Sequence, residues 1–343
     1  MSTEIVTTRH GQVERVRPAS VPEYVGRMLS DRPPLRIGSR TSPMAMAQAR
    51  LVQDLIAKVA GDIPTEIVGI ETSGDQWMGD LAELGGKGAF LKEIDRHLMM
   101  GGIDVAMHAM KDVPGDVPLP EGTMFAAYLP REDVRDVLVV REGSPYTRLE
   151  EMPPGTRIGT SAVRRKAQLL KHRPDLHVDR IRGNVNTRIA RLDAEKRFEA
   201  IILNLSGLHR VHMEHRASEV IAPDVMCPAV GSGVIGVQCR TADTGIAELL
   251  RLFDDAETRT HITAERTMLH GLRGHCNSPI AGHCHTTPDG QLSLIGMVFT
   301  REGGKFAYSH EWDSPERPAE LGAYVAADLL RKGARGIIDG IPH

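Results

Sequence analysis

Apolar positions along this chain recur in short runs and in helical spacing, one after the other. Leu35–Gly38 reads as a short strand, followed by Ser42 as a helix cap and Pro43 at the first helical position. Leu51, Val52, Leu55, Ile56 and Val59 then mark a helical face that Gly61 stops. Glu66–Ile70 predicts the next strand, and the glycine-rich run from Glu83 to Gly88 leads into a helix carrying Phe90, Leu91, Ile94 and Leu98. Ile103–Ala109 is a further strand, ending at Met110-Lys111-Asp112-Val113-Pro114. The rhythm repeats as strand Arg157–Gly159, helix from Ala162, strand Val178–Ile181, helix Val185–Arg197 and strand Ala200–Leu205. Such alternation predicts α/β domains with largely parallel sheets.

The last third departs from that rhythm. Ile262, Glu265, Leu269 and Leu272 mark a helix, and Arg273–His285 reads as a Gly/His/Cys loop. Two alternating strands (Gln291–Phe299 and Lys305–Trp312) and a helix near Ala319–Arg331 complete a small α+β domain. At the other end, residues 1–34 lack an apolar signal core and contain Glu4, Glu14, Glu23 and Asp31, which argues against an acid-poor transit peptide. They read as a flexible extension with a short helix near Val21–Leu29.

Bulk composition narrows the class. The 343 residues suffice for roughly two or three domains, with 41% hydrophobic and 25% charged residues. No apolar run approaches the ~18 residues of a membrane span, so no membrane association is expected. Cys227, Cys239, Cys276 and Cys284 are too few for a disulfide framework in a chain this long, and a reducing, cytoplasmic setting is the expectation.

Charge changes the picture locally. The whole chain has a net charge of −3, yet Arg157–Arg191 holds ten Lys/Arg against Asp175 and Asp179, with no Phe, Tyr or Trp. Arginines stand beside two helix starts, in Gly159-Thr-Ser-Ala-Val-Arg-Arg165 and Arg182-Gly-Asn-Val-Asn-Thr-Arg188. A guanidinium matches carboxylate or phosphate oxygens two at a time, and helix N-terminal amides add to the same field. The segment therefore reads as a site for a ligand with several negative groups. Ligands of α/β sheets bind beyond the carboxyl ends of strands. Lys111/Asp112, Thr160/Ser161 and Gly183/Asn184 are expected there, serving one crevice. A nucleic-acid partner is disfavoured by the missing aromatics and the negative total charge.

Three other signals lead nowhere. Gly231-Ser-Gly-Val-Ile-Gly236 has dinucleotide spacing, but Pro228 precedes it and Val234–Cys239 reads as a strand instead of a helix. Gly85-Gly-Lys-Gly88 lacks the first glycine and the Ser/Thr of a phosphate loop. His275-Cys276 and His283-Cys284-His285 have the wrong ligand spacing for structural zinc, so no metal is expected.

Taken in order, the chain's motifs resemble the porphobilinogen deaminase (hydroxymethylbilane synthase) family from about Leu35 to Gly340. The carriers are Arg36-Ile-Gly-Ser-Arg-Thr-Ser-Pro43, Thr72-Ser-Gly-Asp75, Gly85-Gly-Lys-Gly88, His108-Ala-Met-Lys-Asp-Val-Pro114 and Arg131-Glu-Asp-Val-Arg-Asp136. They continue with the two arginine motifs above, Pro228-Ala-Val-Gly-Ser-Gly233 and the Cys276 loop. The resemblance implies two periplasmic-binding-protein-like α/β domains forming a clamshell, plus a small C-terminal α+β domain. The implied boundaries are 35–130 with 228–252, then 131–227, then 253–343, after the 1–34 extension.

It also implies a transferase for porphobilinogen, joining four molecules head to tail with release of ammonia and hydrolysis to hydroxymethylbilane. The implied cofactor is dipyrromethane, held covalently through Cys276, and Asp112 is the implied catalytic acid. Lys111, Thr160, Ser161, Arg164, Arg165 and Asp112 are then expected around the cofactor. Arg40, Ser42, Lys87, Arg182, Arg188 and Arg210 are expected around the substrate. Arginines suit this ligand because each pyrrole unit carries two carboxylates. Such a protein is expected to be a monomer.

Departures from the family pattern lie at Ala162 (usually Ser), Ser232 (usually Gln), Glu83 (often Lys) and His275 (usually Gly). A lost hydroxyl and an inverted charge each weaken a carboxylate contact by about 1 kcal/mol, and they keep a second reading open. In that reading the chain is a divergent or non-catalytic clamshell that binds a small polycarboxylate.

Overall fold

A computed structural model of the chain describes residues 5–9, 12–16, 21–30, 32–61, 63–76, 88, 91–273 and 278–341. It divides into two compact units: residues 1–113, 118–131 and 234–259, and residues 114–117, 132–233 and 260–343. The chain visits the first unit, crosses to the second, returns briefly, and finishes in the second.

In the first unit β1 (Ile5–Arg9) and β2 (Gln12–Val16) pair antiparallel, and α1 (Glu23–Ser30) follows. The segment expected as a flexible extension with a short helix near Val21–Leu29 contains that helix and, before it, an antiparallel strand pair. Val25 and Leu29 of that helix, 0% and 2% exposed, belong to the core. Next come β3 (Leu35–Arg40), α2 (Pro43–Val59), β4 (Thr65–Ile70), α3 (Ser73–Gln76), α4 (Lys92–Met99) and β5 (Val105–Ala109). A single 3-10 turn, Met110–Asp112, closes β5, and β6 (Thr123–Tyr128) ends this pass.

The Ser42 hydroxyl accepts the Ala45 amide hydrogen at 3.3 Å and Pro43 opens α2, so the cap read from the sequence forms. The buried stripe of α2 is Ala45, Gln48, Ala49, Val52, Leu55, Ile56 and Val59, whereas Leu51 is exposed. Burying a side chain such as Ile56 is worth about 1.5–3 kcal/mol.

The second unit opens with β7 (Asp136–Val140), β8 (Arg157–Gly159), α5 (Val163–His172), β9 (His177–Asp179) and α6 (Val185–Glu195). β10 (Ala200–Asn204), α7 (Leu205–Arg210) and β11 (Glu219–Val220) follow. The chain then contributes β12 (Ile235–Arg240) and α8 (Thr244–Arg251) to the first unit. It ends with α9 (Ala256–Leu272), β13 (Ile280–Thr286), β14 (Leu292–Phe299), β15 (Phe306–Asp313), α10 (Pro318–Arg331) and α11 (Ala334–Asp339).

Both five-stranded sheets are mixed, where largely parallel ones were expected. The first has the order β4-β3-β5-β12-β6, with β3 parallel to β4 and β5, and β12 antiparallel to β5 and β6. The second has the order β11-β7-β10-β8-β9, with β7 antiparallel to β10 and β11. β6 and β7 carry no polar alternation that would have flagged them. Both are largely buried, and Val137, Leu138 and Val139 are 0% exposed.

The C-terminal sheet is antiparallel, β13-β14-β15, and its inner face packs Leu294 and Val298 against Met268 and Val325. The expected Arg273–His285 loop is therefore corrected: Ile280–Thr286 is a strand, paired with β14 along its whole length. Its glycine and histidines hid the alternation, because Cys284 faces the core while His283 and His285 are half-buried on the other side. The α/β and α+β composition agrees with the expectation. Residues 132–233 and 260–343 both belong to the second unit.

Candidate functional site

The first unit presents a pocket at the end of β5. Arg40, Ser42, Gln48, His108, Lys111 and Asp112 line it, together with apolar side chains. β3 delivers Arg40, the start of α2 delivers Ser42 and Gln48, and the turn after β5 delivers Lys111 and Asp112. Four of the residues expected around substrate or cofactor thus share one pocket. Among the described residues Asp112 accepts no hydrogen bond and pairs with no cation, so its carboxylate is not used as a turn cap.

Two further lining residues were given no role from the sequence, although His108 opens one of the quoted motifs. Gln48 is 4% exposed and its Nε2 has no described hydrogen-bond partner, at the price of leaving a buried donor unpaired. Its place between Ala45 and Val52 on a buried helical stripe was the one available hint. His108 Nε2 stands 2.8 Å from Gln238 Oε1. Burial pushes the His108 imidazole down to about 4, against a weaker upward pull from that bond, so the ring is neutral at pH 7.

The basic stretch lies in the second unit, and its arginines divide into two kinds. Arg164 Nη2 and Arg165 Nη2 donate to the two oxygens of Asp136 at 2.6 and 2.8 Å. Arg164 Nη1 reaches Cys227 O at 2.5 Å and Arg165 Nη1 reaches Ile202 O at 3.0 Å, while the buried Arg165 Nε has no described hydrogen-bond partner. Burial alone would raise the Asp136 carboxyl, but the Arg164 and Arg165 charges outweigh it and bring it to about 2. Asp136 ends the quoted Arg131–Asp136 motif, yet nothing in its spacing announced that it would bind both arginines. Arg210 is likewise occupied, with Nη2 2.8 Å from Glu132 Oε2.

Arg188 is different. Its Nε donates to Gly183 O at 2.7 Å, and no described carboxylate pairs with it. Burial, then the like charges of Arg165 and Arg182, lower it to about 10, so it stays protonated but is poorly compensated. Gly183 makes room at φ 113° and Asn184 caps α6, accepting the Thr187 amide hydrogen at 2.8 Å. Arg188, protonated beside Arg165 and Arg182 and with no described carboxylate on it, fits an acid-bearing ligand, the chemistry of a dipyrromethane. Thr160 and Ser161 use their hydroxyls locally: Thr160 Oγ1 accepts from the Ala162 amide at 3.2 Å, and Ser161 Oγ donates to Ile181 O. Lys87 and Cys276 lie outside the described residues.

Glu265, on α9 and 0% exposed, is another buried acid of this unit. Its Oε2 accepts the Gly231 amide hydrogen at 2.7 Å and its Oε1 that of Cys284 at 2.8 Å, fastening the Gly231 loop and β13 to the helix.

An α/β protein with a lysine–aspartate pocket on one unit and a buried, protonated Arg188 on the other has the features of the class that handles acidic small molecules. Residues 35–248 match the family described as "Porphobilinogen deaminase, dipyromethane cofactor binding domain", and residues 259–331 match "Porphobilinogen deaminase, C-terminal domain". Porphobilinogen deaminase 2 of Streptomyces coelicolor is 48% identical over 309 residues, covering 90% of this chain and 97% of that protein. The porphobilinogen deaminase of Syntrophobacter fumaroxidans is 39% identical over 308 residues, with coverages of 90% and 97%. The chain belongs to the porphobilinogen deaminase family.

Proposed function

We propose that this chain is a hydroxymethylbilane synthase: a transferase that deaminates porphobilinogen, joins four units head to tail on a dipyrromethane primer, and releases hydroxymethylbilane by hydrolysis. The observation that carries this reading is the Asp112 carboxylate, unpaired among the described residues, at a pocket it shares with Arg40 and Lys111. Arg40 and Lys111 bind the substrate's carboxylates as fork and point charge respectively. When ammonia leaves the aminomethyl carbon with the C–N bonding pair, that carbon becomes positive, and Asp112 stabilises it electrostatically. Asp112 then takes the proton released as the new carbon–carbon bond forms. Arg188, with Arg182 beside it, holds acid side chains of the growing chain. The dipyrromethane, attached through Cys276, supplies the acceptor carbon for the first unit.

Arg164 and Arg165 contribute to this reading chiefly by keeping the Asp136 centre neutral enough to stay folded. The buried free thiols of Cys227, Cys239 and Cys284 accord with a reducing cytoplasm, and a monomer is proposed with it.

Intact-protein mass spectrometry tests the reading. Protein purified from cells that make porphobilinogen should carry a covalent two-pyrrole mass that is absent from Cys276→Ser. An unmodified wild-type chain that binds porphobilinogen without consuming it would establish the non-catalytic polycarboxylate binder instead.

A further inference from the structure

Beside Asp112, the pocket of the first unit holds a hydrogen-bonded relay that the reaction as described leaves unused. His108, on β5, is 5% exposed and lines the pocket. Its Nε2 lies 2.8 Å from Oε1 of Gln238, a β12 residue that is 0% exposed. Gln238 Nε2 lies 2.9 Å from Thr123 Oγ1, and that hydroxyl donates its one proton to Pro120 O at 2.8 Å. With its proton spent, Thr123 Oγ1 can only accept, which turns the Gln238 amide nitrogen towards it and the amide oxygen towards His108. A carbonyl oxygen cannot donate, so Nε2 must carry the imidazole proton. That leaves the Nδ1 lone pair free of any described partner.

We propose that His108 is a substrate-orienting residue, presenting Nδ1 as a hydrogen-bond acceptor to a pyrrole N–H in the pocket, and that Gln238 is the positioning residue that fixes its tautomer. This inference rests on the deaminase reading. A pyrrole has an N–H donor and no basic lone pair, so it needs an acceptor opposite it. The ring stays uncharged because burial disfavours the imidazolium. The charges of the pocket do not reverse this: Arg40 from β3 and Lys111 oppose a further cation, while Asp112 and the Asp95 carboxylate on α4 favour one. Among the described residues, β12, β6 and α2 bring the uncharged Gln238, Thr123, Phe125, Gln48 and Ser42.

The test joins a spectroscopic readout to a pH profile, on the full-length holoprotein. In ¹⁵N-histidine-labelled protein, the resonance missing from His108→Asn should be that of a neutral imidazole protonated on Nε2 from pH 5.5 to 8. A ring protonated on Nδ1, or an imidazolium in that range, would overturn the proposal. Gln238→Glu places a carboxylate on Nε2–H and holds the ring as an imidazolium, which has no acceptor. Its kcat/KM with porphobilinogen should fall at least tenfold below wild type at pH 6.5 and recover towards pH 9. The His108→Asn/Gln238→Glu double variant should lack that recovery. A Gln238→Glu profile parallel to wild type would refute the inference while leaving the deaminase reading intact. Wild-type protein without turnover would remove that reading, and this inference with it, whatever the tautomer.

Discussion

Arg164 Nη2 lies 2.6 Å from Asp136 Oδ2, with side chains only 8% and 1% exposed. Arg165 takes the other oxygen, so one carboxylate answers two buried guanidiniums. Asp136→Asn removes the only negative charge of this trio and leaves two buried cations uncompensated. A stability loss of about 3–5 kcal/mol is expected in urea unfolding, far more than an exposed ion pair would cost.

The same acid and His108 both contribute to how the protein responds to acid. His108 is depressed from 6.5 to about 4, so the unfolded chain binds its proton first. Stability from this group is full above about pH 6.5 and is lost as pH falls through 4, by about 3 kcal/mol. Asp136, depressed from 3.8 to about 2, contributes stability that is full above about pH 4 and is lost as pH falls through 2, by about 2 kcal/mol. Urea midpoints should decline between pH 6.5 and 4 in wild type and decline less in His108→Asn.

Arg188→Ala should separate binding from stability. With no carboxylate partner and with Arg165 and Arg182 repelling it, Arg188 contributes little to folding, so unfolding free energy should change by less than about 1 kcal/mol. Losing one charge-assisted bond to a substrate carboxylate is worth about 1.5–3 kcal/mol, a rise in KM of tenfold or more. An unchanged KM would remove Arg188 from the substrate site.

Asp112→Asn keeps the shape of the pocket and removes the charge. Because Asp112 makes no described hydrogen bond, folding and the two-pyrrole mass should be unaffected. Turnover should drop by a factor of about 10²–10⁴, the range of a lost acid–base and electrostatic group. Substantial residual turnover would refute its catalytic assignment.

Glu265→Gln offers one oxygen where two backbone amides need acceptors. The Gly231 or the Cys284 amide then faces an NH₂ group, at a cost of about 1–3 kcal/mol in urea unfolding.

Much of this was legible from short-range pattern. The Ser42–Pro43 cap, the glycine and asparagine before α6, and the strand-then-charge pattern of β5 and Lys111-Asp112 all act within a few residues of chain. Strands β6 and β7 were not legible, because both lie within buried sheets and lack the polar alternation that marks a half-buried strand. Nor was β13, whose histidines on one side and Cys284 on the other read as loop chemistry until β14 paired with it. The basic stretch looked uniform in sequence. Its members separate into Arg164 and Arg165, fastened to Asp136, and Arg188, which has no such acid.

By itself the sequence determined the alternating elements, the local excess of positive charge, and the ordered motifs that mark the family. These are properties of residue type and near-neighbour spacing, which the chain displays before it folds. Only the tertiary structure decided which arginines are spent. Asp136 reaches Arg164 across 28 positions of sequence, and Gln238 reaches His108 across 130. Partnerships at that separation depend on how strands order themselves within a sheet. Burial then sets their energy: it leaves Asp136 ionised between two cations and His108 neutral beside an amide, a contrast no local pattern encodes.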